Sequence, residues 1–314
     1  MEVKSTEISQ GENYSKRHPL LVDTFIRLVK EKPLGAVGGA IFLVLLLTAI
    51  FANLLAPYGF NEYVIADRLN PPSAAHLLGT DHLGRDLLSR IIYGARISIY
   101  VGLGASILCT IGATTIGIIS GFFGGKTDTI TQRFVDAFLS FPPIFFYLTV
   151  MAVLGPGLLQ VILVLGLVIA IRQSRVIRSA VLSIKENVYI EAARAIGASP
   201  IRILTKHILP NVMAPIIIIF TISMGQMIIS EATLSFLGFG IPPPMPSWGS
   251  MLSESGRMYM LIAPWMALWP GVALALAVYG INMLGDALRD LLDPRLRGGV
   301  GRYENVKVKK FSNK

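Results

Sequence analysis

Long stretches of this chain carry no ionisable side chain, and that limits its possible folds more than any other feature. None occurs between Lys32 and Glu62, where residues 36–56 are densely apolar. Further charge-free runs cover Ile97 to Gly125, Ala137 to Ile171, Asn211 to Ser230 and Leu261 to Gly285. About 20 apolar residues carry a helix across the hydrocarbon core of a bilayer. The run from Ala137 is too long for one ordinary helix and holds Gly155-Pro156-Gly157 near its middle. It divides into two spans joined by a tight turn, with Pro142 and Pro143 near the start of the first, where missing N–H groups cost least. The chain is therefore expected to be an all-α membrane protein with six transmembrane helices.

Composition agrees. Only 15% of the 314 residues are charged, where a soluble domain has about a quarter, and the mean hydropathy is +0.62. Barrel strands would alternate over about 10 residues, and these runs are continuous. The first run begins more than 30 residues in, with acids upstream, unlike a cleaved signal peptide. The single cysteine, Cys109, excludes an intrachain disulfide and any Cys-rich metal site.

Loop charge sets the expected orientation. With a cytoplasmic N-terminus, the inside segments 1–33, 126–136, 172–210 and 286–314 hold 23 of the 28 Lys and Arg. That asymmetry places both termini in the cytoplasm. The net charge of +9 is spread over four inside segments rather than gathered into a patch, which argues against nucleic acid as a partner. The chain divides accordingly into a cytoplasmic N-terminus (1–33), a first span with its external loop (34–96), a core of five spans (97–285) and a cytoplasmic tail (286–314). Within the N-terminus, Leu21, Phe25, Leu28 and Val29 recur at helical spacing, as in an amphipathic helix lying on the inner membrane surface.

Two stretches resemble chemical sites without fitting them. His76, Asp81, His82 and Asp86 do not follow a metal-ligand spacing, and Arg85 beside the acids predicts a loop tied by Arg–Asp pairs instead. Ser120 to Thr127, SGFFGGKT, nearly spells a phosphate-binding loop, but serine replaces its first glycine and a membrane helix precedes it. No catalytic, metal or cofactor-binding residue is assigned, and nucleotide binding by this chain is not expected.

The cytoplasmic loop 172–210 is the most informative segment. Tyr189 to Ile196 suits a short helix, and Gly197 can take the left-handed conformation that closes one. Ser199 then serves as N-cap and Pro200 as first helical residue. Ile201, Ile203, Leu204 and Ile208 supply apolar contacts, and Pro210 marks the next span. Ala192 and Ala193 give the first helix a shallow face that a partner could approach closely. The physics alone leaves two readings open, a lever for a soluble partner or a plain connection.

The same loop carries a resemblance. EAARAIGASPIRILTKHILP is similar to the EAA loop of ATP-binding-cassette importer permeases: Glu-Ala-Ala, three residues, Gly, nine residues, Ile-x-Leu-Pro. Glu191, Ala192, Ala193, Gly197, Leu209 and Pro210 match, while His207 stands where the first isoleucine is expected. HLLGTDHLGRDLLSRIIYGARIS, SEATLSFLGFGIPPPMPSWGSML (Ser230 to Leu252) and GDALRDLLDPRLR (Gly285 to Arg297) narrow the resemblance to the dipeptide, oligopeptide and nickel permease group, in particular its C-type subunit with an extra N-terminal span.

The resemblance implies a type I importer permease fold and a non-catalytic subunit. A second permease subunit would share the pathway, two cytoplasmic ATPases would bind the ATP and magnesium, and an extracytoplasmic solute-binding protein would deliver the solute. Glu191, Ala192, Ala193 and Gly197 would belong to the helix seated on an ATPase. In the fifth span, Thr221, Ser223 and Gln226 are candidates for lining the pathway, with helix–helix hydrogen bonding as their alternative role. Glu231, expected to end that span on the outer side, would contact solute, stabilise a gate, pair with Arg257 or cap backbone. Trp265 and Trp269 read as membrane-interface anchors. Peptides are the expected solute, with nickel or another small solute as the alternative. An ion-coupled carrier is disfavoured because the span centres lack ionisable residues.

Overall fold

The computed structural model describes residues 27–292, apart from the side chains of residues 254–257. Most of the expected interfacial helix and the end of the C-terminal tail lie outside the described residues. Residues 27–31 are helical, with Leu28 buried against Ala287 and Leu291.

Five helices are long and apolar enough to cross a membrane: α1 (Pro33–Ile50), α2 (Leu87–Phe123), α5 (Leu158–Lys185), α7 (Met213–Phe236) and α8 (Trp265–Leu292). A sixth crossing is broken, with α3 (Gly125–Leu139) and α4 (Pro143–Leu154) meeting at 87°. The sequence predicts one span beginning near Ala137, and here the structure differs. Alone, the 12 residues of α4 extend about 18 Å, well short of the roughly 30 Å hydrocarbon core. Proline is the cause. Pro142 and Pro143 lack N–H donors, and the residue before a proline is driven out of the helical region, so helix ends at Leu139 and restarts at Pro143. Phe138 and Phe146 stack across the break at 4.8 Å.

Four spans outrun their charge-free runs. α2 begins ten residues before Ile97, where Asp86 caps it by accepting from the Ser89 amide at 2.8 Å. At 37 residues it is about 55 Å long, so it overshoots the bilayer. α5 continues through Arg172, Arg175 and Arg178, and α8 through Asp286, Arg289 and Asp290. α7 continues past Glu231 to Phe236, so Glu231 does not end that span.

The core is the packing of α2 on α5. Small residues let the two approach: a Cβ on Gly117 would lie 2.6 Å from the Ser174 carbonyl oxygen, and one on Gly112 2.9 Å from the Ala170 Cβ. Val101, Ala105, Cys109 and Ala113 of α2 bury here with Val161, Leu165, Ile169 and Ile177 of α5. α7 closes a second cluster with α1, α2 and α8, in which Ile228, Ala277, Ile281 and Leu45 are buried. α1 lies on α8, with Gly38 against the Gly280 backbone. The other side of α1 exposes Leu34, Val37, Leu43, Val44 and Leu47, a surface that suits lipid.

Segments at one end of the bundle interlock. Arg85 donates to Asp81 at 2.6 Å, and His76 Nδ1 lies 3.0 Å from Asp86 Oδ1. The Arg–Asp tie expected in place of a metal site is therefore present. Arg90 reaches the Phe60 carbonyl and Arg96 the Ala49 carbonyl, fastening this loop to α1 and α2. Trp265 Nε1 donates to the Thr80 carbonyl at 3.2 Å. That bond gives the half-buried Trp265 a packing role where the sequence suggests an interface anchor. Trp248 inserts between α2 and α7, donating to the Ile91 carbonyl at 3.1 Å and lying against Gly94.

Candidate functional site: coupling helix and pathway face

The opposite end of the bundle carries the loop segment that resembles an EAA motif. Helix α6 (Val188–Ala195) forms within one residue of its expected bounds. It ends as its sequence requires: Gly197 stands at φ +81°, a region open to glycine and strained for most other residues. The Ala198 amide returns to the Ala193 carbonyl at 3.0 Å, completing a glycine-closed helix end. Ser199 then accepts from the Arg202 amide, and Pro200 starts the next turn. A wide turn over Leu204–Ile208 carries the chain to Pro210 and into α7.

Period 3.6 gives α6 two faces. Ile190 and Ala193 are buried in the α2–α5 core beside Phe122 and Val181, and the Arg194 guanidinium lies 5.9 Å from the Phe122 ring centroid. Val188, Glu191, Ala192 and Ala195 are exposed, as are Ile196 (85%) and Ile201 (73%) beyond the helix. Of the two alanines expected to form a shallow face, only Ala192 is open, because Ala193 turns inward. The result is a small rigid helix with an apolar rim, seated on the span pair that forms the core.

The four pathway candidates on α7 do not share one face. Thr221 donates back to the Ile217 and Ile218 carbonyls and borders an apolar cavity of about 250 Å³ with Phe42, Leu103 and Ile281, on the side of α1 and α8. Ser223 is fully buried with its Oγ 3.8 Å from Cys109 Sγ. Glu231 is fully buried and accepts from Ser235 Oγ at 2.6 Å, while its Oε2 has no hydrogen-bond partner among the described residues. Ser235 in turn accepts from the Ile241 amide, which draws the segment after α7 over the carboxylate. The side chain of Arg257, the possible partner for Glu231, lies outside the described residues.

Gln226 is different. It sits near the middle of α7, its side chain is exposed, and no hydrogen bond among the described residues satisfies it. An amide facing hydrocarbon with no partner is costly, so this face is suited to water, solute or another subunit. One turn away, Ile222 begins a groove of about 410 Å³ lined also by Gln173, Ile218, Pro215 and Arg289. Asn282 of α8 is exposed as well and abuts Gly225. Asn282, Gln173 and Arg289 were not singled out from the sequence. Asn282 is uncharged inside an apolar run, and the other two lie beyond the runs on helix continuations. The sequence holds no signal for this face; the exposure of Gln226 and Asn282 beside the groove identifies it.

Comparison with known proteins matches these features. Residues 113–298 match the family model described as binding-protein-dependent transport system inner membrane component. Residues 20–72 match the N-terminal TM domain of oligopeptide transport permease C. The dipeptide transport system permease protein DppC of Alkalihalophilus pseudofirmus is 43% identical over 275 residues, 88% of this chain and 90% of that protein. The glutathione transport system permease protein GsiD of Pectobacterium atrosepticum is 42% identical, covering 87% and 91%. A putative peptide transport system permease protein of Brucella suis is 43% identical, covering 81% and 87%. In fold, the chain resembles a structure of the MetNI methionine ABC transporter in inward-facing conformations, with TM-score 0.55, 21% identity, and coverage of 66% of this chain and 98% of that one. The chain is a multi-pass, non-catalytic membrane permease subunit and belongs to the binding-protein-dependent transport system inner-membrane component family of ATP-driven importers.

Proposed function

We propose that this chain forms, with a second permease subunit, the membrane pathway of a peptide importer, and that α6 is the element through which cytoplasmic ATPases drive it. The observation that carries this reading is the two-sided seating of α6. Ile190 and Ala193 fix it to the core, while Glu191, Ala192 and Ile196 stand open on a loop that joins two spans. Loop charge puts α6 in the cytoplasm, together with both termini. The ATPases hold ATP and magnesium, and this chain holds neither. An extracytoplasmic binding protein delivers the solute to the end where Trp248 and Trp265 lock the loops. Gln226 faces the pathway. ATPase closure then shifts the permease pair between two states, which requires the engine to bind those states with different affinity. Peptides, from dipeptides to glutathione-sized solutes, are the proposed cargo, because the relatives at 42–43% identity carry those names.

The test is a bulky change on the open side of α6. Ala192→Trp in the whole importer should leave this chain in the membrane, abolish co-purification of the ATPases, and cut uptake of a radiolabelled dipeptide at least about tenfold. Co-purification and uptake at the parental level would overturn the reading.

A further inference from the structure

One ionic cluster is not explained by coupling or pathway lining. It lies where α2, α3 and α5 meet, at the end of the bundle that carries α6. Arg178 of α5 donates twice to Asp128 of α3, Nε to Oδ1 at 2.6 Å and Nη2 to Oδ2 at 2.5 Å. Ser120 of α2 donates to Asp128 at 2.5 Å and accepts from Gln132 at 3.0 Å. Lys185, the last residue of α5, reaches Gly124 at the α2–α3 junction and acts on Asp128 through its charge. Half a helix along, Arg175 pairs with Asp136. Both acids of α3 are thereby matched by arginines of α5. Asp128 and Arg178 are largely covered, at 19% and 29% side-chain exposure, and bidentate geometry makes such a contact stronger than an ordinary surface pair.

Geometry gives the cluster a mechanical meaning. The broken limb α3–α4 is tied to α5 at both ends. At the far end the tie is covalent, through Gly155-Pro156-Gly157, and the Gly157 amide there donates to the Gly240 carbonyl at 3.1 Å, beside the segment that covers Glu231. At the near end the tie is the Asp128–Arg178 pair. Between them lies the 87° bend. Val135 anchors α3 in the core, and an open apolar groove of about 430 Å³ lined by Ile116, Ile130, Phe134, Phe138 and Ile171 runs along the helix, so the Asp128–Arg178 pair adds to a thin packing contact. Three residues after Lys185 the chain enters α6.

We propose that Asp128 and Arg178 are positioning residues for energy coupling: their pair makes α3 move with α5 and α6, so that displacement of α6 swings the bent limb and reaches the far end of α4. This rests on the reading of α6 as the ATPase-seated helix, and the experiment separates the two. The whole importer, purified through a tag on this chain, carries Val153→Cys at the exposed end of α4. Cys109, the native cysteine, is buried and stays silent. The rate of labelling by a water-soluble maleimide is measured with and without ATP-vanadate trapping.

In the parent, trapping should change the rate about tenfold. Asp128→Asn should keep the ATPases attached and hydrolysing within about twofold of the parent, yet lose most of that change. The reversed pair Asp128→Arg with Arg178→Asp should restore it, which ties the loss to the pair rather than to either side chain alone, while the retained ATPase attachment and hydrolysis in Asp128→Asn set it apart from a merely structural defect. Normalising to assembled complex keeps the readout valid if a variant accumulates poorly, and Arg178→Lys, which keeps the charge but loses the fork, should give an intermediate change. An unchanged ATP response in Asp128→Asn, or no response at position 153 in the parent, would overturn the proposal. If Ala192→Trp leaves ATPase attachment intact, it is the reading of α6 that fails.

Discussion

Gly197 closes α6 with φ +81°, and a Cβ built there would meet no atom within 4 Å. Any penalty for replacing it is therefore conformational rather than steric. Alanine in the left-handed region costs about 1–2 kcal/mol, whereas asparagine visits it at less cost. Gly197→Ala should therefore loosen the end of α6 and lower uptake several-fold, while Gly197→Asn retains more of it. Uptake assays on the two variants, at equal membrane abundance, check the order, and equal loss would mean that side-chain contact matters there instead. Glu231 shows the opposite balance. Its backbone is ordinary helix, and its constraint is burial with one carboxylate oxygen unsatisfied among the described residues. Such a group strongly determines its surroundings. The sequence revealed its identity but not its depth, because it stands just after a charge-free run and reads as a terminus.

Among elements, the α2–α5 seam depends on small residues more than on large ones. Valine at Gly117 would place a Cβ 2.6 Å from the Ser174 carbonyl oxygen and 2.7 Å from the Ile177 Cβ, atoms fixed in a facing helix. Overpacking of this kind costs about 1–3 kcal/mol. Gly117→Val should lower the melting temperature of the detergent-purified chain. Gly39→Ala, whose Cβ would make ordinary contact with Leu284 at 3.5 Å, should leave it nearly unchanged, within about 0.5 kcal/mol. A thermal-shift measurement on the pair decides. The seam also shows what the sequence can convey about elements. Apolar runs locate the spans, because burial in lipid excludes charge over their centres. Helix ends are less legible: backbone hydrogen bonding carries α2 and α5 well beyond those centres, through arginines that find partners. The sequence puts Pro142 and Pro143 near the start of a span and gives no sign of the 87° bend between α3 and α4.

For the whole molecule, the unsatisfied surfaces define the missing assembly. The α6 helix was legible because its local backbone chemistry, Gly197 closing it and Ser199-Pro200 starting the next turn, is written in the sequence. The pathway face was not, since a polar residue in an apolar run looks the same whether it turns inward, like Ser223, or outward, like Gln226. Exposure separates them and yields a sharp expectation. Gln226→Cys in the assembled importer should react with a membrane-impermeant maleimide, because the face it occupies would meet the aqueous pathway. Ser223→Cys, packed against Cys109, should react at least about tenfold more slowly, since a thiol shielded from water has little thiolate available for attack. The reactivity at 226 should also depend on nucleotide, because opening one end of the pathway closes the other to the reagent. A cysteine at 226 that stays inert under every nucleotide condition would mean that this face is sealed against the second permease subunit. The solute would then pass along another face, leaving the groove between Gln173 and Arg289 as subunit contact.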